Sequence, residues 1–398
     1  LGKKAEKSDR RTPPARGFPD SEFEGRLSKA QMMMASARLD ALLLTTEPEV
    51  RYFTGFLTQF WQSPTRPWFL IVPLKGKPIA VIPGIGADCM SRTWIEDIRT
   101  WSSPHAIDDG IGLLADTLSE IADPTGRVGV PMGRETHMRL PLSEYARLKS
   151  MLTGMDFVDA SPIVRQLRMV KSEAEIEKIA YICGVASDTF AEVPGLVGEG
   201  DTEIEVFRRF KRQMLKQGAD DCPFLVGGAG LGGYSDIISP PSDRPLQSGD
   251  VLILDTGAVF DGYFCDFDRN FAIGKADDAA KRAYEVVYDA TEVALTACRP
   301  GITTTDLYHA MWQVLEEGGA LSNDVGRLGH GLGMQLTEWP SHTDFDGTIL
   351  EEGMVLTIEP GIEFAPGKLM VHEENIVVRD GPPQLLTTRA EKQLPVIS

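Results

Sequence analysis

Cysteine is scarce in this 398-residue chain and follows no pattern: Cys89, Cys183, Cys222, Cys265 and Cys298 are odd in number, with no C-x-x-C pair among them. That excludes a disulfide-stapled scaffold and a thiolate zinc finger. Free thiols fit a reducing compartment, and a cytoplasmic location is expected. Basic charge is short too. Forty Lys and Arg stand against 58 Asp and Glu, a net charge of −18, which argues against wide contact with nucleic acid or an anionic membrane surface. No apolar run reaches the roughly 18 residues of a membrane span. The first twenty residues, LGKKAEKSDRRTPPARGFPD, carry basic residues and prolines but no apolar core. A flexible arm over 1–20 is expected there, not a secretory signal. With 42% hydrophobic and 25% charged residues, the rest reads as an ordinary globular chain of two or three domains.

What is there divides near residues 162–171. Ser21-x-x-Glu24 is a capping box that predicts a helix through about Leu39. ALLLTT, VRYFTGF, WFLIVPL and PIAVIP then read as strands, followed by a helix at Ile111–Ala122, the strand RVGVPM, the helix SEYARLKSML and the short strand MDFVDAS. Strands alternating with helices predict an α/β domain of about 150 residues. Tyr52, Phe53, Trp61 and Trp68 are read as its core, and Met32-Met33-Met34 as a buried helix face. Ser172 with Glu175 caps a long helix that opens the second half, and Glu203–Gln217 continues it. VGGAGLGG contains G-x-G-x-x-G at Gly228–Gly233, but no helix pattern follows, so a turn-rich loop is the better reading than a dinucleotide fingerprint. Helices at Ala279–Cys298 and Thr304–Glu317 complete the set.

Two stretches of the second half echo each other. SGDVLILDTG and EGMVLTIEPG align Gly249 with Gly353, Asp255 with Glu359 and Gly257 with Gly361. Each is a buried apolar strand closed by a carboxylate, which is costly unless a counter-charge meets it. Two such ends in related frames suggest a metal held between two halves of one domain. A two-residue loop at Pro366-Gly367 sets Glu359 opposite Glu374 and chooses Glu374 over Glu373. Like charges so opposed repel, and a shared cation removes the problem. After Asp255 the register stays open: a loop at Asp261-Gly262 pairs it with Asp268, a turn one residue earlier with Asp266.

These residues together resemble the pita-bread metallopeptidase superfamily of methionine aminopeptidase, aminopeptidase P, prolidase and creatinase-like relatives. The resemblance lies in Asp255 of LDTG, Asp266 of GYFCDFDR, His330 of GHGLG, Glu359 of TIEPG and Glu374 of HEENIVV, with VRYFTGF and KSEAEI as weaker matches. Its two aspartates are eleven residues apart, as Asp255 and Asp266 are, which favours Asp266 over Asp268. The resemblance implies an α/β two-domain chain: a creatinase-like N-terminal domain over 21–163, and a pita-bread α+β domain over 164–398 with an internal pseudo-two-fold repeat.

It further implies two divalent cations (Mn, Fe, Co or Zn) suited to hydrolysis. Asp255 would hold one, His330 and Glu359 the other, with Asp266 and Glu374 bridging and Glu359 passing the proton. The family's proline-directed peptidases carry two accessory histidines where this chain has Ile238 and Thr337, and an arginine where it has His372. Arg66, His372, Thr337 and His342 are the substrate-binding candidates. The expectation is a dinuclear-metal-dependent hydrolase cleaving an amide bond in a small peptide, Xaa-Pro peptidase-like. Two other readings are a non-peptidase member acting on a small amino-acid derivative by hydrolysis or elimination, and a non-catalytic binding protein. Related two-domain members dimerise, so a homodimer is expected.

Overall fold

Ala41–Leu44 is a run of four residues with no exposed surface, and a strand buried on both faces needs covers on both. The computed structural model describes residues 11–64, 66–322 and 326–398. It puts this strand inside a six-stranded mixed sheet, ordered Asp97–Trp101, Ile79–Pro83, Phe69–Pro73, Ala41–Leu44, Arg127–Val130, Asp156–Asp159. Helices Ile111–Ile121 and Leu142–Met151 pack Leu114, Leu118 and Leu148 against Leu43, Ile71 and Val81. This sheet and its helices form one compact unit, Arg16–Arg168.

Local chemistry departs from the sequence reading at three places in this unit. The first helix spans Asp20–Ala37 and starts on Pro19 without a side-chain cap; Asp20 and Glu22 face its positive end instead. VRYFTGF is not a strand but the end of a helix, Glu47–Thr54, with Pro48 in its first turn and Gly55 closing it at φ +71°. Those are start and stop signals of a helix, and they overrode the β-branched and aromatic content. Met32 is exposed whereas Met34 is buried, because consecutive helix residues cannot share one face. Tyr52, Phe53, Trp61 and Trp68 are all buried in the core.

The second unit comprises Met169–Ser398 with the N-terminal residues up to Ala15. Residues 1–10 of the expected arm lie outside the described residues. Residues 11–15 are held against helix Glu173–Leu196, with Arg11 Nε 2.7 Å from Asp188 Oδ2 and Lys178 Nζ donating to Ala15 O. Capping boxes start three helices here: Ser172/Glu175, Thr202/Glu205 and Thr303/Asp306. Helices Glu173–Leu196 and Glu203–Gln217 precede a sheet of Asp221–Leu231, Asp250–Phe260, Tyr263–Phe264, Phe267–Ile273 and Val396–Ile397. Helices Asp278–Ala297 and Thr304–Glu317 precede a second sheet of Glu338–Ser341, His330–Gly331, Val355–Ile358, Glu374–Val377 and Gln384–Leu385. Val251, Ile253, Tyr284, Val287, Leu356, Ile358 and Ile376 share one buried core. The glycine-rich stretch is not a loop throughout: Gly228 and Gly230 pair with Ile253 and Val251 inside the strand. A Cβ on Gly230 would lie 2.3 Å from Gly233 O, so the close turn after the strand needs glycine there. No helix among the described residues is long and apolar enough to cross a membrane.

Candidate metal centre

Asp255, Asp266 and Glu359 arrive at one place because each lies within or at the end of a buried strand. Asp255 sits in Asp250–Phe260, after four residues with no more than 1% exposure. Its ladder partner is Asp268, so the loop at Asp261-Gly262 sets the backbone register. Asp266 lies just before that paired stretch, at an unpaired step between Tyr263–Phe264 and Phe267–Ile273. There the Asn375 side chain clamps its backbone: Asp266 N donates to Asn375 Oδ1 at 3.0 Å, and Asn375 Nδ2 donates back to Asp266 O. Asp266 and Asp268 have the same parity, and both point to the Asp255 face.

His330 is placed by the two glycines around it. A Cβ on Gly329 would lie 2.4 Å from Thr357 O, and one on Gly331 2.0 Å from Trp339 O. The backbone is thus drawn tight against strands on both sides, and His330 N donates to Thr357 Oγ1 at 2.8 Å. The ring nitrogen Nδ1 is 2.8 Å from Gly331 O, a group that only accepts, so Nδ1 carries a hydrogen. Nε2 is left facing Glu359 Oε1 at 3.0 Å and Asp266 Oδ2 at 3.3 Å. Burial opposes charge on this ring, but Glu359 and Asp266 outweigh it and raise its pKa to about 10. The same nitrogen is the one that a cation would take.

Asp266, His330 and Glu359 each offer one ligand atom within 4.8 Å of the others, and so do Asp255, Asp266 and Glu373. Asp266 belongs to both groups. Burial first, and then the neighbouring acids, push the Asp255 and Glu373 carboxyls well above the usual carboxylate range. Asp255 Oδ1, Asp268 Oδ1 and Glu373 Oε2 are buried without a hydrogen-bond partner among the described residues. Buried polar groups in this condition call for an ion or water, and a set of carboxylates and one imidazole suits a divalent metal. The residues present fit the group.

Glu374 is not brought to this cluster, which corrects the expectation from the hairpin. The ribbon Gly361–Ala365/Lys368–Val371 carries a β-bulge between Glu363 and Ala365. One extra residue on the first strand slips the register, so Ile358 rather than Glu359 faces Glu374. The Glu374 carboxylate is fully buried and saturated by donors: Arg269 Nη2 at 3.0 and 3.2 Å, Arg389 Nη1 at 3.0 Å, Ala390 N at 3.0 Å, and Thr387 Oγ1. Glu373 takes its place in the cluster. Pro366-Gly367 gave no sign of the bulge; the adjacent Glu pair and the arginines at 269 and 389 were the available hints.

The substrate-side candidates scatter. His372 is enclosed between the Tyr284 and Tyr288 rings, with Nδ1 3.0 Å from Thr291 Oγ1 and Nε2 accepting from Arg389 Nη1 at 2.8 Å. Burial lowers its pKa to about 3, and both nitrogens are used within the fold, so it is not open to a substrate. His342 is buried, its Nε2 3.1 Å from Thr357 O, and burial lowers its pKa to about 4. Thr337 is exposed and meets Arg327 Nη2 at 3.4 Å. Arg327 escaped the sequence reading although its charge acts on both Asp266 and Glu359. Ile238 is 78% exposed. Arg66 belongs to the other unit, where its guanidinium lies 5.2 Å from the Phe60 ring centroid.

Comparison with known proteins bears on this geometry. Residues 177–380, just over half of the chain, match the model of metallopeptidase family M24, and residues 26–170 match the creatinase/prolidase N-terminal domain. This chain belongs to metallopeptidase family M24. The M24 chain is 28% identical over 369 residues to the probable dipeptidase PepE of Mycobacterium tuberculosis, covering 92% of this chain and 94% of that one. It is 30% identical over 255 residues to the Xaa-Pro dipeptidase of Pyrococcus horikoshii, covering 63% of this chain and 72% of that one. Among solved structures it matches dipeptidase PepE of Mycobacterium ulcerans with a TM-score of 0.83 at 28% identity, over 96% of this chain and all of the other. Recombinant prolidase from Thermococcus sibiricus matches with a TM-score of 0.85 at 25% identity, over the same shares. The two-domain creatinase/M24 architecture expected from the sequence is therefore the one found. As an M24 member the chain is a metal-dependent hydrolase of the peptidase class.

Proposed function

We propose that this chain is a dinuclear-metal-dependent peptidase that cleaves an amide bond in a small peptide, in the manner of an Xaa-Pro dipeptidase. The observation that carries the reading is the pair of donor groups sharing Asp266. Asp255 and Glu373 would hold a cation on one side, His330 and Glu359 on the other, with Asp266 between them. Mn, Fe, Co or Zn in these positions would supply Lewis-acid polarisation of the scissile carbonyl and an activated water. The protein's own residues do the rest. His330 is turned by Gly331 O so that Nε2 points inward, an orientation that a ligating imidazole needs. Burial would raise the Glu359 pKa, but His330 outweighs it and holds it at about 2. Glu359 is therefore ionised at neutral pH, as a ligand to a cation must be, and it is the group we assign to relay a proton to the leaving amine. Catalysis belongs to the unit Met169–Ser398, and we expect the protein to act as a cytoplasmic homodimer.

A second reading keeps the metals and changes the substrate to a small amino-acid derivative. Exposed Ile238 and Thr337, where proline-directed relatives carry histidines, and the enclosed His372 favour it. Metal analysis of the purified protein, then turnover of glycyl-proline against a panel of N-acyl and guanidino acids with and without chelator, separates the two. Chelator-sensitive glycyl-proline hydrolysis supports the first reading. Turnover confined to the panel supports the second, and activity indifferent to chelator overturns both.

A further inference from the structure

One acid of the centre stands outside both donor groups. Asp268 is directly opposite Asp255 in the ladder between Phe267–Ile273 and Asp250–Phe260, and directly opposed side chains share a face with Cβ atoms about 4.5–5.5 Å apart. It is 1% exposed. One of its oxygens is fixed from outside the cluster. Asn270 Nδ2 donates to Oδ2 at 2.8 Å and to Val371 O at 2.6 Å, while the Tyr234 hydroxyl donates to Asn270 Oδ1 at 2.9 Å. Its other oxygen, Oδ1, is buried with no partner among the described residues, like Asp255 Oδ1 and Glu373 Oε2. The Glu373 backbone N–H also acts on this carboxyl, so it lies beside the Glu373 end of the cluster. Arg269 does not answer the free oxygen, since its donors go to the main-chain oxygens of Asp268, Glu373 and Thr388 and to the Glu374 carboxylate. Bare carboxylate oxygens buried beside one another are costly to ionise, and a cation held near them offsets that cost.

We propose that Asp268 is a further cation-stabilising residue of this centre: standing outside ligand distance of both donor groups, its free oxygen acts through its charge on the ion that Asp255 and Glu373 would hold, not as a direct ligand. The inference rests on the metal-centre reading above but not on the identity of the substrate. Asn270 and Tyr234 are then positioning residues, which fix Oδ2 and leave Oδ1 turned to the cation.

Asp268→Asn tests this, because it keeps the shape and removes the charge. Mn²⁺ is titrated calorimetrically into metal-free wild type and variant, and the melting temperature of each metal-free protein is measured. The expected result is at least a tenfold loss of affinity at one binding step, with the metal-free variant melting no lower than wild type because one of several crowded acids is gone. Wild-type affinity in D268N overturns the proposal. So does a weaker affinity accompanied by a lower melting temperature of the metal-free variant, which marks general damage to the fold. A wild type that takes up no Mn²⁺ brings down the metal-centre reading itself, and with it this inference. Failure to hydrolyse glycyl-proline touches neither.

Discussion

Glu373 and Glu374 are neighbours in sequence with opposite duties, so exchanging each for glutamine separates metal binding from folding. Glu374 is fully buried and takes charge-assisted hydrogen bonds from Arg269 and Arg389. Removing its charge leaves Arg269 without its carboxylate partner in a nearly dry site, while Arg389 keeps Glu292 at 2.8 Å, and breaking a buried pair in this way costs about 3–5 kcal/mol. With a urea slope of about 3 kcal/mol/M, the midpoint of metal-free Glu374→Gln falls on the order of 1 M. Glu373 has no such partner: its Oε2 is bare and its neighbours are acids. Glu373→Gln therefore leaves the metal-free midpoint unmoved or higher, and loses bound cation instead. The assay is urea unfolding of both metal-free proteins beside metal content after dialysis against a limiting Mn²⁺ buffer. Cation loss in E374Q at an unchanged midpoint, with full cation retention in E373Q, would refute the assignment.

Two other outcomes do not depend on metal binding. Asp201 has its pKa lowered, chiefly by the Arg209 hydrogen bond at 2.6 Å. A depressed acid stabilises the fold above the ordinary aspartate range and loses that contribution as pH falls through the folded value. The stability gap between wild type and Asp201→Asn should thus be largest near neutrality and close on acidification; a gap of constant size from pH 7 to pH 3 would contradict this. Of the five thiols, Cys183, Cys222, Cys265 and Cys298 are buried, and burial pushes each thiol up, while Cys89 is half-buried. A thiol reagent at neutral pH should modify Cys89 alone in the native protein and all five after denaturation; rapid native modification of a second thiol would count against the packing described here.

The parts of this molecule legible in the sequence are those set by short-range chemistry. The capping box read at Ser172 and Glu175 starts its helix as side chain meets backbone, whereas Ser21-x-x-Glu24 does not cap the first helix. The motif residues Asp255, Asp266, His330 and Glu359 converge because Asp255 lies within a buried strand and the others at or beside strand ends that hydrophobic burial fixes. What escaped the sequence depends on partners far along the chain. The bulge after Glu363 leaves Pro366-Gly367 looking like an ordinary tight turn. Asn375 clamps Asp266 across 109 residues. His372 was a reasonable substrate candidate by position, yet Thr291 and Arg389 enclose it. VRYFTGF had strand composition and helix punctuation at once, and the punctuation won.

That single inserted residue has a consequence for how the protein tolerates change in length. Successive residues of a strand look to opposite sides, so a ribbon one residue shorter would turn the arginine-bound glutamate toward the acids and its neighbour toward the arginines. The proposed cation beside Asp255 and the two guanidinium groups would each meet the wrong side chain together. The hairpin Gly361–Val371 thus acts as a spacer whose odd count decides polarity at its base, and an insertion or deletion in this exposed-looking turn would reach the centre of the molecule without altering any residue there.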